Sequence, residues 1–296
     1  MGGNFAAATP DTEVTFQALR NCQLNVSVAT KLNRNHLVAG NEALILPCFG
    51  RTEIDCQKAG EQFVTVENSM GVVHISKGKV SPISKQLLSE VSIVCRLALK
   101  LFASDLEKRD IVDWQGLNSN YDRIRDLIEK SIPGFDRYNE RVNKPNGFYL
   151  PNPVRDKLEF KTNTGKGNFT VHDIPLHKLQ DDQFLMMTVR SHDQYNTTIY
   201  GLNDRYRGIF YGRRVVLMNS GDVARMNLKQ GDVVNLSSDY NHKVRMAEKF
   251  VVVPYDIPRQ CIATYFPEAN VLVPVELIAK KSHTPVSKSV IVKVEK

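Results

Sequence analysis

The chain has 296 residues, 42% of them hydrophobic and 24% charged, which excludes wholesale disorder, a collagen-like repeat and a disulfide-dense miniprotein. Lys and Arg number 39 against 32 Asp and Glu, and the net charge of +7 suits a phosphate-bearing partner while being equally common in proteins that bind no anion. At ~150 residues per domain the length corresponds to two domains.

Met1–Asn4 opens with a Gly-Gly-Asn turn signal, and Thr9-Pro10-Asp11-Thr12-Glu13 reads as a helix start, with Thr9 as cap and Pro10 in the first helical position. The helix runs to about Asn21, Leu24, Val26 and Val28 alternate as a strand, and Ala43–Cys48 is a continuous apolar run of the kind buried on both faces of a parallel sheet. This order is the tail of a parallel α/β unit whose first strand is absent, so the chain is expected to begin inside a domain. Gly2–Asn4 is then expected to be displaced, and an apolar flank to be exposed or covered by self-association. Gln62–Glu67 and Val72–Ser76 flank Asn68–Gly71 as a hairpin. Ser84–Phe102 predicts a long helix presenting Leu87, Val91, Val94, Ala98 and Leu101, and Asn118–Lys130 predicts a second, ended by Pro133-Gly134. The first of these is interrupted by Glu90, Arg96 and Lys100 and falls short of the ~20 apolar residues of a membrane span.

From Lys144 to Pro153 the chain is rich in Pro, Asn and Gly, which places a domain boundary near 150 and divides the chain into 1–150 and 151–296. Beyond it, Leu158–Lys161 and Asn168–Val171 around Gly165, then Phe184–Arg190, Arg214–Met218, Asp232–Leu236, Val244–Val253, Gln260–Tyr265 and Val290–Val294, read as short strands, with a helix starting near Ser220. The expected architecture is an α/β part followed by a mainly β barrel or sandwich. Cys22, Cys48, Cys56, Cys95 and Cys261 are odd in number and form no Cys-x-x-Cys, and the start carries no signal peptide, so free thiols in a cytoplasmic setting are expected.

No self-contained catalytic motif is present: there is no phosphate-cradling Gly-x-x-x-x-Gly-Lys, no Gly-x-Gly-x-x-Gly, no Gly-x-Ser-x-Gly, and the seven histidines lie at no metal-ligand spacing. Two segments stand out. Thr188–Thr198, dense in donors, either wraps a polyanionic or heteroaromatic ligand or is a solvated loop. Asp204–Arg214, with four arginines and three aromatics, either clamps single-stranded nucleic acid, neutralises a cofactor's phosphates, or covers a face.

Taken together, several segments resemble the molybdopterin-dependent oxidoreductases, in their formate-dehydrogenase-like branch. Gly2–Asn4 with Thr9–Thr12 is similar to that family's Gly-x-Asn loop, Ala43–Pro47 to its Ala-Asp-Val-Val-Leu-Pro strand, and Val66–Gly71 to its Asn-x-x-Gly-Arg hairpin. Thr188-Val189-Arg190 resembles its Thr-x-Arg loop, and Met218–Val234 its Asn-Pro-x-Asp-Ala…Gly-x-x-x-Gly-Asp-x-Val signature. The family's Asp-Ile-Phe-x-Thr-Glu-Thr stretch is replaced by Thr30–His36.

The resemblance implies an α/β remnant at 1–150, with a helical excursion, followed at 151–296 by a double-psi β-barrel of the aspartate-decarboxylase-like kind. It implies molybdenum bis(molybdopterin guanine dinucleotide), shared with an N-terminal region of the same enzyme that also carries the metal ligand and any iron–sulfur cluster. The chain itself then supplies no catalytic or metal-binding residue. Its cofactor contacts would be Gly3, Asn4, Asp11, Lys31, Asn33, Thr188, Arg190, Ser191, Gln194, Asn196, Thr197, Asn270 and Lys288. The parent enzyme would be a two-electron oxidoreductase of a small substrate, formate by default, with no membrane and no nucleic acid among its partners. The alternative is a non-catalytic nucleic-acid-binding protein using residues 205–214. The isolated chain is expected to be redox-inactive and metal-free, and elemental analysis of the purified protein checks it: stoichiometric molybdenum or iron would contradict the reading.

Overall fold

The computed structural model describes residues 1–174, 176–195 and 199–296, without the side chains of Leu106 and Arg109. They form two compact units, one of residues 1–46 with 175–296 and one of 47–174. The units therefore do not follow the 1–150 and 151–296 blocks expected from composition, because the first 46 residues pack with the β-rich end of the chain.

That unit is built on a closed six-stranded barrel, in the order Val233–Tyr240, Lys243–Pro254, Val215–Met218, Cys261–Tyr265, Gln183–Val189, Val290–Glu295. All six strands were expected as short, β-branched runs bounded by turn residues. In Gln183–Val189, Phe184, Met186 and Thr188 are buried while Met187 faces out, as a pleated strand requires. Val215–Met218 pairs parallel with Lys243–Pro254, and Cys261–Tyr265 parallel with Gln183–Val189; the other neighbours are antiparallel. Asn241 and His242 join the longest hairpin with both residues left-handed (φ 53° and 59°), the geometry whose twist matches the flanking strands. Phe184, Met186, Val216, Met218, Leu236, Phe250, Val252, Ile262 and Leu272 fill the interior.

Helices Phe5–Ala8 and Thr12–Arg20 and strands Leu24–Ala29 and Glu42–Pro47 precede the barrel. The helix expected from Thr9 starts instead at Thr12, and Asp11 before it is left-handed (φ 51°) with no capping hydrogen bond. Its carboxylate is used elsewhere: Arg245 Nη2 donates to Asp11 Oδ2 at 2.6 Å, with the two side chains 4% and 2% exposed. Asn270 Nδ2 donates to the carbonyls of Ala7 (2.7 Å) and Ala8 (3.2 Å), and Asp11 N–H donates to Asn270 O (3.0 Å). Gly2–Asn4 is not displaced, since Gly2 N–H donates to Val28 O at 2.8 Å and Asn4 is buried. The strand Glu42–Pro47, expected to be buried on both faces, is largely exposed. Its sheet has only two strands, and Leu24, Val26, Leu44 and Ile45 lie open.

In the 47–174 unit the expected hairpin is Val64–Glu67 with Val72–Ser76, extended by Phe148–Tyr149. Asn68 Oδ1 accepts from Met70 and Val72 N–H and Gly71 takes φ 75°, which is why this tetrapeptide turns. Val73, Tyr138, Val142 and Phe148 form the core. The first long helix is Glu90–Leu101, six residues shorter at its start than expected, because Ser89 accepts from Ser92 N–H as its cap. Its buried face is Ser92, Cys95 and Ala98, with Val94 and Leu101 exposed: the Ser92 hydroxyl donates to Asn118 Oδ1 (2.7 Å) and accepts from Gln57 (3.0 Å), drawing a polar stripe inward. The second is Asp122–Ser131, anchored by Tyr121, whose hydroxyl donates to Asp55 (2.5 Å). The strands expected at 158–161 and 168–171 do not form, and Phe169 and Val171 are fully exposed; no partner strand lies beside them among the described residues. No helix among the described residues is long and apolar enough to cross a membrane.

Burial disfavours the Asp11 carboxylate, but the hydrogen bond and charge of Arg245, with Lys243, outweigh it and hold the carboxyl below its usual range. A carboxylate so depressed contributes stability above its unfolded value near pH ~3.9 that is lost as pH falls through the folded value. Arg245→Met is expected to cost about 3–5 kcal/mol, by orphaning a buried charge, and to flatten the acid limb of the stability curve measured by denaturant unfolding at several pH values.

Candidate cofactor site

Gln183–Val189 ends at a polar loop. Thr188, buried within the strand, donates its N–H to Ser287 O (3.0 Å), and its carbonyl accepts the ammonium of Lys288. Burial and the neighbouring charge of Arg190 both hold the Lys288 amine below its ordinary value. The Arg190 side chain is exposed and makes no ion pair or side-chain hydrogen bond among the described residues. Two cations thus share one edge of the barrel without a carboxylate between them.

The rest of the loop is held from inside. Arg213, 5% exposed, donates Nη1 to Ser191 Oγ (2.6 Å), Nη2 to Gln194 Oε1 (3.1 Å) and Phe266 O (2.9 Å), and Nε to Glu268 Oε1 (2.8 Å). Its guanidinium lies over the rings of Tyr200 (4.2 Å) and Tyr265 (4.8 Å). Gln194 Nε2 donates to Phe266 O (2.8 Å) and its Oε1 also accepts Ser191 N–H (3.1 Å), so that amide points into the protein. Of the six residues 188, 190, 191, 194, 196 and 197, whose density after a strand predicts one continuous concave surface, Thr188 and Ser191 are buried, the Gln194 amide is turned inward and Arg190 faces out. Asn196 and Thr197, nominated with them, lie outside the described residues.

Asp204 is the second internal anchor. It is 1% exposed and accepts from Arg207 Nη1 (2.6 Å) and from the hydroxyl of Tyr265 (2.9 Å), while Arg207 Nη1 also donates to Arg190 O (3.2 Å). Burial opposes ionisation of Asp204, but the hydrogen bonds from Arg207 and Tyr265 outweigh it and keep its carboxyl below the usual range. Burial, reinforced by the Asp204 carboxylate, pushes the Tyr265 hydroxyl well above its ordinary value. Arg207 and Arg213 therefore work inside the loop; of the clamp's four arginines Arg205 and Arg214 are exposed, together with its aromatics Tyr206, Phe210 and Tyr211.

The N-terminal nominees form a separate group. Asn33 Nδ2 donates to Gly3 O (3.2 Å), and Asn33 Oδ1 caps the 3₁₀ turn Arg34–Leu37 by accepting from Asn35 N–H (3.0 Å). Lys31 is exposed. Asp11 and Asn270, nominated as ligands, are spent on Arg245 and on the carbonyls of Ala7 and Ala8. The two groups are linked through Glu268–Leu272, whose Glu268 is held by Arg213 and whose Asn270 holds residues 7 and 8. A recess of about 630 Å³ between Thr12–Arg20 and Lys243–Pro254 is lined by Phe16, Arg20, Arg34, Arg214 and Phe250, and none of the nominated residues reaches it. Sequence reasoning missed Arg213, Asp204, Tyr265 and Glu268 as the frame of the loop. A lone Glu and Tyr in the 260s carry no signal of a partner at 204 or 213.

Residues 184–291 match the family model described as the molydopterin dinucleotide binding domain. The whole chain is 49% identical over 300 residues to an uncharacterized oxidoreductase of Mycobacterium tuberculosis, of which it spans 38%, and 97% of it is 41% identical to protein YdeP of Escherichia coli K12, of which it spans 37%. Among solved structures it is similar to acetylene hydratase from Pelobacter acetylenicus, with a TM-score of 0.65 at 12% identity, covering 100% of this chain and 43% of that one. The barrel thus matches a molydopterin dinucleotide binding domain, and the similarity to named oxidoreductases extends over the rest of the chain. The chain spans less than two fifths of the relatives' length.

The buried hydroxyls of Tyr265 and Tyr121 are expected to stay protonated in the native protein at pH values that ionise exposed tyrosines. Spectrophotometric titration checks this: Tyr265→Phe should leave the native tyrosinate signal near pH ~10 unchanged and reduce only the signal released on unfolding.

Proposed function

We propose that this chain is the cofactor-binding portion of a molybdenum oxidoreductase of the formate-dehydrogenase-like branch, its barrel double-psi and its ligand bis(molybdopterin guanine dinucleotide). The observation that carries the reading is the like-charged pair Arg190 and Lys288 beside the end of Gln183–Val189. Elsewhere in this unit buried charges are matched, as in Asp11 with Arg245, Arg213 with Glu268 and Asp204 with Arg207. A structure that neutralises its interior cations but leaves two together at a rim is built for an anion supplied from outside, and the pyrophosphate of a dinucleotide has that charge.

When bound, the metal–dithiolene group supplies the two-electron chemistry. The chain's own part is to hold it: Arg190 offers a planar fork to phosphate oxygens, Lys288 a point charge braced on the Thr188 carbonyl, and Gly3 with Asn33 a second polar edge. The parent enzyme, including the region that shares the cofactor and any iron–sulfur cluster, would act on a small substrate, formate by default. The hydratase that shares the fold shows that architecture does not choose the reaction. With Arg207 and Arg213 engaged by internal partners, two of the four arginines of 205–214 are taken from the clamp that a nucleic acid would need.

An ammonium held below its unfolded value destabilises the fold while charged, and that cost fades as pH rises through the folded value. Lys288→Met should therefore leave thermal stability at neutral pH unchanged or raised. The same variant, and Arg190→Met, should weaken binding of inorganic pyrophosphate or GDP by ~10-fold or more, the worth of one charge-assisted hydrogen bond, in calorimetric titration. Unchanged affinity in both variants would remove the reading.

A further inference from the structure

The backbone at Asp193 is left-handed (φ 62°), a local turn conformation open to aspartate, and it shapes the loop that carries Arg190 outward. The residues on either side, Ser191 and Gln194, are both gripped by one guanidinium. We propose that Arg213 is a positioning residue that holds the 190–194 loop in its ligand-competent shape, so that Arg190 is delivered beside Lys288; the role in binding rests on the reading of this loop as a cofactor segment.

Arg213 suits the task in three respects. Its fork reaches two segments distant in sequence, Ser191 and Gln194 on one side, Phe266 and Glu268 on the other. Its charge is cancelled by Glu268, 14% exposed, so it needs no ligand to stay buried. Its guanidinium lies over Tyr200 and Tyr265 while its fork donates in several directions, a combination of planar stacking and donor geometry that an ammonium lacks. Gln194, with its amide oxygen on Arg213 and Ser191 N–H and its amide nitrogen on Phe266 O, is a strut between them rather than a contact to the ligand. From the other side Arg207 holds the Arg190 carbonyl, which fixes the residue that must point outward.

A purely structural role predicts something different, and the pair with Glu268 separates the two. In Arg213→Met the remaining carboxylate is a buried, unmatched charge and the protein should lose stability for that reason alone. In Arg213→Met/Glu268→Leu the orphan charge is gone and stability should return. The test compares both variants and Arg213→Lys with the parent chain by thermal unfolding, by hydrogen exchange of the amides of 190–195, and by calorimetric titration with inorganic pyrophosphate and with GDP. The expected result is a double variant that melts close to the parent, yet exchanges the 190–195 amides and releases both probes at least ~10-fold more readily, with Arg213→Lys failing to rescue either. A double variant, or a lysine variant, with parental exchange and affinity would overturn the proposal and leave Arg213 a barrel residue only. If the parent chain binds neither probe, the cofactor reading fails, and the exchange comparison alone decides the positioning role: parental exchange in the double variant would still overturn it.

Discussion

A buried guanidinium is tolerable only where the chain brings enough acceptors and a counter-charge to its fork, and meeting that demand at Arg213 organises the barrel's functional end. Satisfying it brings Ser191 and Gln194 over Phe266 and Glu268, and closes the guanidinium between Tyr200 and Tyr265. Tyr265 then reaches Asp204, Asp204 takes Arg207, and Arg207 takes the carbonyl of Arg190. The described part of the 190–213 excursion between two barrel strands is therefore pinned at several polar points, with Ile209 packed on Val215, Leu217, Ala263 and Tyr265.

The same logic runs on through Glu268–Leu272. Its first residue belongs to Arg213 and its third, Asn270, pairs with the backbone of residues 7, 8 and 11, where Asp11 meets Arg245. Two sets of nominated residues that are far apart in sequence are thereby mounted on one frame. Against that frame of matched charges, Arg190 and Lys288 stand out as neighbouring cations, burial and the charge of Arg190 weakening the hold of Lys288 on its proton.

The 47–174 unit obeys a related rule with one carboxylate ringed by neutral donors. Tyr121, Asp55, Ser89, Ser92, Asn118 and Gln57 form a connected hydrogen-bonded set beneath the Glu90–Leu101 helix. Burial and the Asp55 hydrogen bond push the Tyr121 hydroxyl upward, which keeps it a donor to that carboxylate. The set explains why a helix with leucines and valines available buries serine and cysteine instead.

The sequence by itself determined the barrel's six strands, since β-branched composition and the turn residues that bound each run are local properties, and it determined the hairpin at Asn68–Gly71 through turn chemistry confined to four residues. It also carried the resemblance to the dinucleotide-binding domain that the family model matches at 184–291. What it did not determine is which polar residues face a ligand. Asp11, Asn270, Ser191 and Gln194 have the chemistry of ligands, and the fold spends all four on internal partners 19 to 263 positions away. The strand at 42–47 and the runs at 158–171 show the converse, apolar segments whose burial depends on neighbours that the segment does not encode. Pairing over such separations is decided by where the closed barrel places each strand end, and neither composition nor spacing along the chain contains that geometry.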